Sequence, residues 1–100
     1  MAENPLAFIA EADPRFGEHL KAADGLIFGE GVIPKRYRLL IALAFDAAHG
    51  AGNGVRSLAQ RAMREGATRD EILEAIRVAY HLSGVGSVYT ASQALREILS

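Results

Sequence analysis

The side chains best suited to acid–base chemistry are two histidines, His49 and His81, each of which precedes a glycine-containing turn. Imidazole titrates near neutral pH, so either histidine is a candidate proton carrier, or a group that orients a substrate carboxylate. His49 also falls at the end of a predicted helix, where it would interact well with the helix dipole, and this capping role is favoured. His81 follows Tyr80, which is assigned to a core face, so His81 is expected at the surface or at an interface.

A candidate anion site follows His49 in the segment HGAGNG, which covers residues 49–54. A helix is expected to start at Val55, and the free amides of a helix N-terminus suit a carboxylate or phosphate. The candidate binding residues are Gly52, Asn53, Gly54, Arg56 and Ser57. The segment lacks the Gly-Lys-Ser/Thr ending of a nucleotide-binding loop and follows no predicted strand, so a dinucleotide site is not expected. A tight turn with positive φ angles is the stronger explanation of the glycines.

Metal and cofactor chemistry have little support. The chain has no cysteine, which excludes disulfides, thiol catalysis and thiolate metal sites. Asp46 and His49, three residues apart, are the only local pair of metal-ligand type, whereas a site needs three or four converging ligands. We predict no metal and no cofactor. Arg38 lies in an apolar segment and is expected to need a carboxylate partner, for which a neighbouring subunit is one source. This structural role is favoured, and clamping a substrate is the minor alternative.

Length and composition indicate one soluble domain spanning residues 1–100. Half of the residues are hydrophobic and the formal charge is −1, with 11 basic and 12 acidic residues spread along the chain. Without a basic patch, nucleic-acid binding is not expected. The first ten residues do not resemble a secretory signal, and no apolar run approaches the roughly 20 residues that span a bilayer. A cytoplasmic location and no membrane partner are therefore predicted.

Helix start and stop signals predict an all-α fold of about six helices. Asn4-Pro5, Asp13-Pro14 and Pro34 are typical of helix starts. Thr68 with Glu71 predicts a capping box, the sharpest local signal. Glycines at 29, 66, 84 and 86 punctuate the segments, and no strand-like alternation of useful length occurs.

Apolar spacing predicts which helical faces are buried. The predicted faces are Phe16, Leu20, Ala23 and Ile27; Val55, Leu58, Ala62 and Met63; Ile72, Leu73, Ile76, Ala79 and Tyr80; and Val88, Ala91, Leu95 and Ile98. The segment from Tyr37 to Phe45 is apolar nearly all round, and a small monomer rarely buries a helix on every side. We therefore expect a homo-oligomer (dimer, trimer or hexamer) that uses this helix and the C-terminal helix.

Four segments, KRYRLLIALA, HGAGNG, AMREGATRDEI and HLSGVGS, together resemble the carboxymuconolactone decarboxylase and alkylhydroperoxidase D superfamily over residues 13–95. The resemblance implies an all-α helical bundle whose subunits assemble extensively. Redox members use a glutamate, a Cys-x-x-Cys pair and a histidine. These four positions correspond here to Leu39, Ala51, Gly54 and Leu58. Thiol redox chemistry needs a thiolate and a resolving thiol, so peroxide reduction by the family mechanism is excluded.

Two hypotheses follow from the altered positions. The first is an enzyme related to the lactone decarboxylases, in which His49 or His81 moves a proton and the loop amides with Arg56 hold a small carboxylic acid. The decarboxylases keep the histidine that is replaced by Leu58, which counts against this hypothesis. The second is a non-catalytic oligomeric binding or scaffold protein with a degenerate active site, favoured because all four positions have lost their polar side chains.

Overall fold

The computed structural model describes residues 6–99 and consists of six α-helices. The helices are α1 (Ala7–Ala12), α2 (Pro14–Phe28), α3 (Lys35–Ala48), α4 (Gly52–Arg64), α5 (Arg69–Ser83) and α6 (Gly86–Leu99). No strand occurs in residues 6–99, and none of their helices is long and apolar enough to cross a membrane. The all-α fold and the number of helices are confirmed.

The contacts divide the chain into two compact units, the first ending at Gly31 and the second starting at Val32. In the first unit α1 and α2 pack against each other. The Asp13 carboxylate caps α2 by accepting the backbone N–H of Phe16 at 3.2 Å, as the Asp13-Pro14 signal predicts. The Asn4-Pro5 signal lies outside the described residues.

The apolar face of α2 is not covered. Neither α1 nor α2 has a buried residue, and Phe16 and Ile27 are about half exposed, at 48% and 56%. Within the first unit, α1 and α2 have only each other to pack against, and a single pair of short helices cannot bury this face. The prediction that Phe16, Leu20, Ala23 and Ile27 form a buried face is therefore wrong for the first unit, which supplies no core for them.

The second unit is an up-down-up-down bundle of α3, α4, α5 and α6. Lys35 at the start of α3 lies 3.9 Å from Glu65 after the end of α4, so these helices are antiparallel. Arg69 at the start of α5 donates its Nε–H to the Leu99 carbonyl at the end of α6, at 2.9 Å, which makes α5 and α6 antiparallel as well. Helix α3 packs against all three others, whereas α4 and α5 lie at opposite corners, each in contact with α3 and α6.

The core lies between these four helices. Its fully buried larger side chains are Leu39, Leu43, Val55 and Ile72, and many alanines fill the remaining contacts. Alanine lets helices approach closely, so a core with few aromatic residues can still be well packed. The helix α3 supplies two of the four, consistent with its central position.

Three predicted faces need correction at their edges. On α4 the buried residues are Val55, Ala59 and Ala62, and Leu58 is only partly buried. On α5 the prediction for Tyr80 is wrong, because its side chain is 51% exposed while Ala79 fills the core position beside it. In both helices small alanines take the buried positions and larger neighbours move to the flanks, which apolar spacing alone does not distinguish.

Two further edge positions, Met63 on α4 and Val88 on α6, are only partly covered: Met63 is of intermediate burial and Val88 is 37% exposed.

The capping box at the start of α5 is present in full. Glu71 N–H donates to the Thr68 hydroxyl oxygen at 3.1 Å, and Thr68 N–H donates to the Glu71 carboxylate at 2.9 Å.

We expect Thr68→Ala to lower the free energy of unfolding by about 1 kcal/mol, because it leaves a helix-terminal amide without its partner. Urea unfolding measures this. Ser83→Ala, which removes an exposed hydroxyl from the other end of α5, is the control and should leave stability unchanged; equal losses in both variants would contradict the cap assignment.

Candidate functional site

The glycine-rich segment forms a short turn between α3 and α4. Gly50 has a φ of +76°, so the turn does need a glycine at this position. Ala51 N–H then donates to the Asp46 carbonyl at 2.8 Å, and α4 begins at Gly52, three residues before the expected start at Val55. Gly52, Asn53 and Gly54 are therefore the first turn of the helix, and positive φ does not explain Gly52 or Gly54.

The carboxylate of Asp46 lies against Gly54. A Cβ atom at residue 54 would collide with Asp46 Oδ2 and would come within 2.8 Å of its Cγ. Any side chain at residue 54 would therefore have to displace the Asp46 carboxylate. Asp46 is partly buried, so α3 places a negative charge of the chain itself beside the N-terminal turn of α4.

This placement affects the candidate anion site directly. The N-terminus of a helix favours negative charge, and the Asp46 carboxylate already provides it. A second anion at the same amides would meet an adjacent like charge, which weakens its binding. The Asp46 carboxylate beside this helix terminus therefore disfavours an open anion site.

The three members of the candidate anion site that carry polar side chains are placed differently. Arg56 donates from its guanidinium to the Glu97 carboxylate of α6 at 3.2 Å, and both side chains are substantially exposed. Asn53 is exposed and Ser57 is partly exposed. The Arg56 guanidinium is thus engaged with α6, and binding a substrate acid would require it to share or leave Glu97.

His49 caps the end of α3. Its backbone N–H donates to the Phe45 carbonyl at 3.0 Å, and its ring stacks on the Phe45 ring with centroids 6.3 Å apart. Both side chains are exposed, with Phe45 at 62%. His49 thus lies at the end of α3, as predicted, and its imidazole is accessible to solutes; its interaction with the helix dipole stays a prediction.

His81 is exposed in the last turn of α5. Since α3 and α5 run in the same direction, the ends that carry His49 and His81 lie at the same end of the bundle. Tyr80 beside His81 is also exposed, so neither residue of this pair enters the core. The structure thus brings the two histidines to one end but gives neither a buried pocket.

The four positions that carry redox chemistry in the family that this chain resembles have no polar side chain here. Leu39 is fully buried, and Ala51 and Leu58 are of intermediate burial. Since Asp46 lies opposite Gly54 in the antiparallel pair, Leu39 falls about one helical turn beyond the level of Leu58. The four positions therefore lie along the contact between α3 and α4. The Asp46 carboxylate occupies the place of the second cysteine side chain.

The residues described, 6–99, contain no group of three or more histidine, aspartate or glutamate side chains that could hold a metal ion. Asp46, one half of the local pair considered in the sequence, contacts Gly54 on the next helix. Sequence inspection identified Asp46 by type but could not reveal this contact, because it depends on the register between α3 and α4. Arg38 likewise has a local partner that the sequence did not predict: its Nε–H donates to the Ile33 carbonyl at 2.8 Å.

The contact between Asp46 and Gly54 gives a sharp mutational test. Gly→Ala inside a helix normally stabilises by about 0.5–1 kcal/mol, but here the new methyl group must displace the Asp46 carboxylate. We expect Gly54→Ala to lower stability in the wild-type background and to raise it in an Asp46→Ala background. Thermal and urea unfolding of the four proteins of this cycle measure the coupling. Additive effects of the two substitutions would show that the two side chains do not compete for this space.

A model of the carboxymuconolactone decarboxylase family matches residues 14–97 of the chain. Searches of curated proteins and of solved structures give no match. The matched region begins at the first residue of α2 and ends in the last turn of α6, and so includes the α3–α4 pair with its four altered positions. The chain belongs to the carboxymuconolactone decarboxylase family.

Proposed function

We propose that this family member performs no thiol redox chemistry and acts as a homo-oligomeric binding or scaffold protein in the cytoplasm. The observation that carries the proposal is the Asp46 carboxylate against Gly54. It occupies the space that a side chain at the second cysteine position would need. A catalytic site that had lost only its cysteines would keep polar partners around an open space.

The neighbouring positions support the same conclusion. Leu39, at the glutamate position, has no exposed surface, and an ionised carboxylate placed there would lose its hydration without gaining a partner. Leu58 replaces a histidine, so the proton relay is missing together with both thiols. Each side chain that the redox mechanism requires is replaced here by an apolar side chain or by glycine. This pattern favours loss of the reaction over a change of substrate.

The oligomeric part of the proposal is supported by the outer face of α3. Tyr37, Ile41 and Phe45 follow one another at spacings of four and are 38%, 48% and 62% exposed, respectively. Residues at this spacing form one continuous stripe on a helix. The opposite side of the same helix fills the core with Leu39 and Leu43, so α3 has two apolar sides and the other helices of the second unit cover only one of them.

Acid–base catalysis on a small carboxylic acid or lactone is the second candidate. It is favoured by one observation, the exposed His49 ring held against Phe45 at the bundle end where His81 also lies. In this case His49 or His81 would transfer the proton. Arg56 and the first turn of α4 would hold the carboxylate of the substrate.

A thermal-shift screen against lactones, short dicarboxylates and inorganic phosphate separates the two candidates. If the protein is a scaffold, none of these compounds should raise the melting temperature through His49 or Arg56. Changing either residue to alanine should then leave the response to the compounds unchanged. His19→Ala, which alters an exposed histidine of the first unit, is the matched control. A ligand whose stabilising effect disappears in His49→Ala and Arg56→Ala, but persists in His19→Ala, would show a ligand site at these residues and contradict a pure scaffold role. Turnover of that ligand would then favour the enzyme.

Assembly is tested separately by light scattering of the wild-type protein at micromolar concentration. We expect a mass of at least two chains. A monomer under these conditions would refute the oligomeric part of the proposal, whatever the outcome of the ligand screen.

A further inference from the structure

Helix α5 is flanked by two apolar grooves whose charges are opposite. The groove between α5 and α6 has a volume of about 300 Å³ and includes Leu73, Val88 and Leu99 together with Arg69 and Arg96. The groove between α3 and α5 has a volume of about 250 Å³ and includes Tyr37 and Val78 together with Glu71 and Glu74. We call these the arginine groove and the glutamate groove.

The charges of the two grooves lie at the same level along the bundle. Arg69 contacts the Leu99 carbonyl, which places the C-terminal end of α6 beside the first turn of α5. Arg96 is about one helical turn before Leu99, and Glu71 and Glu74 occupy the first two turns of α5. Both pairs of charges are therefore near the N-terminal end of α5, on its two opposite flanks.

Two of the four charged groups have local roles. The Glu71 carboxylate accepts the Thr68 N–H in the capping box, and Arg69 donates to Leu99. Within residues 6–99, neither Glu74 nor Arg96 has an ion-pair partner, and both are exposed. Glu74 and Arg96 are thus the groups available to a partner.

We propose that the arginine groove of one copy packs against the glutamate groove of a second copy, with the α5 helices parallel. A rotation axis parallel to α5 keeps the charges of neighbouring chains at the same level along the bundle. Arg96 of one chain then faces Glu74 of the next, and the apolar residues of the two grooves pack against each other. Such a contact joins two different surfaces and closes into a ring when the rotation allows. Complementary charge fixes the direction and register of the contact, and the apolar residues supply the buried area.

This inference rests on the proposed homo-oligomer and specifies a surface for it. It adds a contact centred on α5 to the apolar stripe of Tyr37, Ile41 and Phe45 on α3. It also predicts that assembly depends on charge, which a contact through the apolar stripe alone would not. An amphipathic acid lying in the arginine groove is the competing occupant, and the experiment distinguishes it.

The test is charge reversal at Glu74 and Arg96, read by sedimentation velocity and with folding checked by circular dichroism. Glu74→Arg and Arg96→Glu each place like charges across the contact, and each should weaken assembly at least tenfold at low salt. The double variant Glu74→Arg/Arg96→Glu restores opposite charges within every contact and should reassemble. Arg64→Glu, an exposed charge reversal on α4 at the opposite corner, is the control and should assemble as the wild type does.

The outcomes separate this inference from the broader proposal. A wild-type oligomer that resists both single reversals, or a double variant no better assembled than the singles, would overturn the α5 contact while leaving oligomerisation intact. A monomeric wild-type protein would overturn both. A monomer stabilised by octanoate in a manner lost in Arg96→Glu would assign the arginine groove to an amphipathic acid instead. In salt of about 1 M the penalty of the single reversals should shrink, because the screening length falls to about 3 Å.

Discussion

Replacing Leu39 with glutamate is expected to unfold the second unit, although glutamate is the residue that redox members of the family carry at this position. Leu39 has no solvent exposure and lies among apolar side chains of the bundle. An uncompensated buried charge costs about 3–5 kcal/mol, a large share of the roughly 5–15 kcal/mol that stabilises a whole domain. Loss of the helical circular dichroism signal, or a transition shifted far toward lower urea, measures the effect.

Two controls separate charge burial from a general sensitivity of α3. Leu39→Met conserves volume and should cost less than about 1.5 kcal/mol. Val32→Glu introduces the same carboxylate at a fully exposed position and should be nearly neutral. If Leu39→Glu instead folds with wild-type stability, this part of the bundle accommodates a polar group and the case for a degenerate site is lost.

The parts of the fold that depend on neighbouring residues were accessible from the sequence. The capping box at Thr68 is present as predicted because both of its hydrogen bonds join residues three apart. The proline signal at Asp13 likewise acts within one turn and marks the start of α2. Local chemistry of this kind fixes helix ends without reference to the rest of the chain.

The errors concern choices that depend on packing between helices. Tyr80 and Ala79 both fit the apolar spacing of α5, and only the closeness of the neighbouring helices decides that the smaller side chain enters the core. Glycines usually interrupt helices, so the sequence predicts that α4 starts at Val55, whereas Gly54 is helical and leaves room for Asp46. Glycine therefore has two different structural roles within six residues of this chain: positive φ at Gly50 and close approach at Gly54.

In the candidate site, too, the sequence reveals residue types but not the contacts between helices. The loss of cysteine, and the residues that replace the four redox positions, are evident from the sequence. The contact of Asp46 with Gly54 and the ion pair of Arg56 with Glu97 are not, because they join residues 8 and 41 positions apart, respectively. These two contacts weaken the anion-site hypothesis, since one brings a competing carboxylate to α4 and the other draws the arginine toward α6.

The two apolar sides of α3 should respond to truncation in opposite ways. Leu43 is fully buried, so Leu43→Ala should lower the free energy of unfolding by about 2–5 kcal/mol through lost burial and a residual cavity. Phe45 is 62% exposed on the outer side of the same helix, so Phe45→Ala should leave the fold of the single chain intact and weaken assembly. Urea unfolding and light scattering of both variants, each at two protein concentrations, separate the effects. The division of α3 into a core side and a partner side is contradicted if Phe45→Ala destabilises a monomeric chain as strongly as Leu43→Ala, or if it leaves the association of an oligomeric protein unchanged.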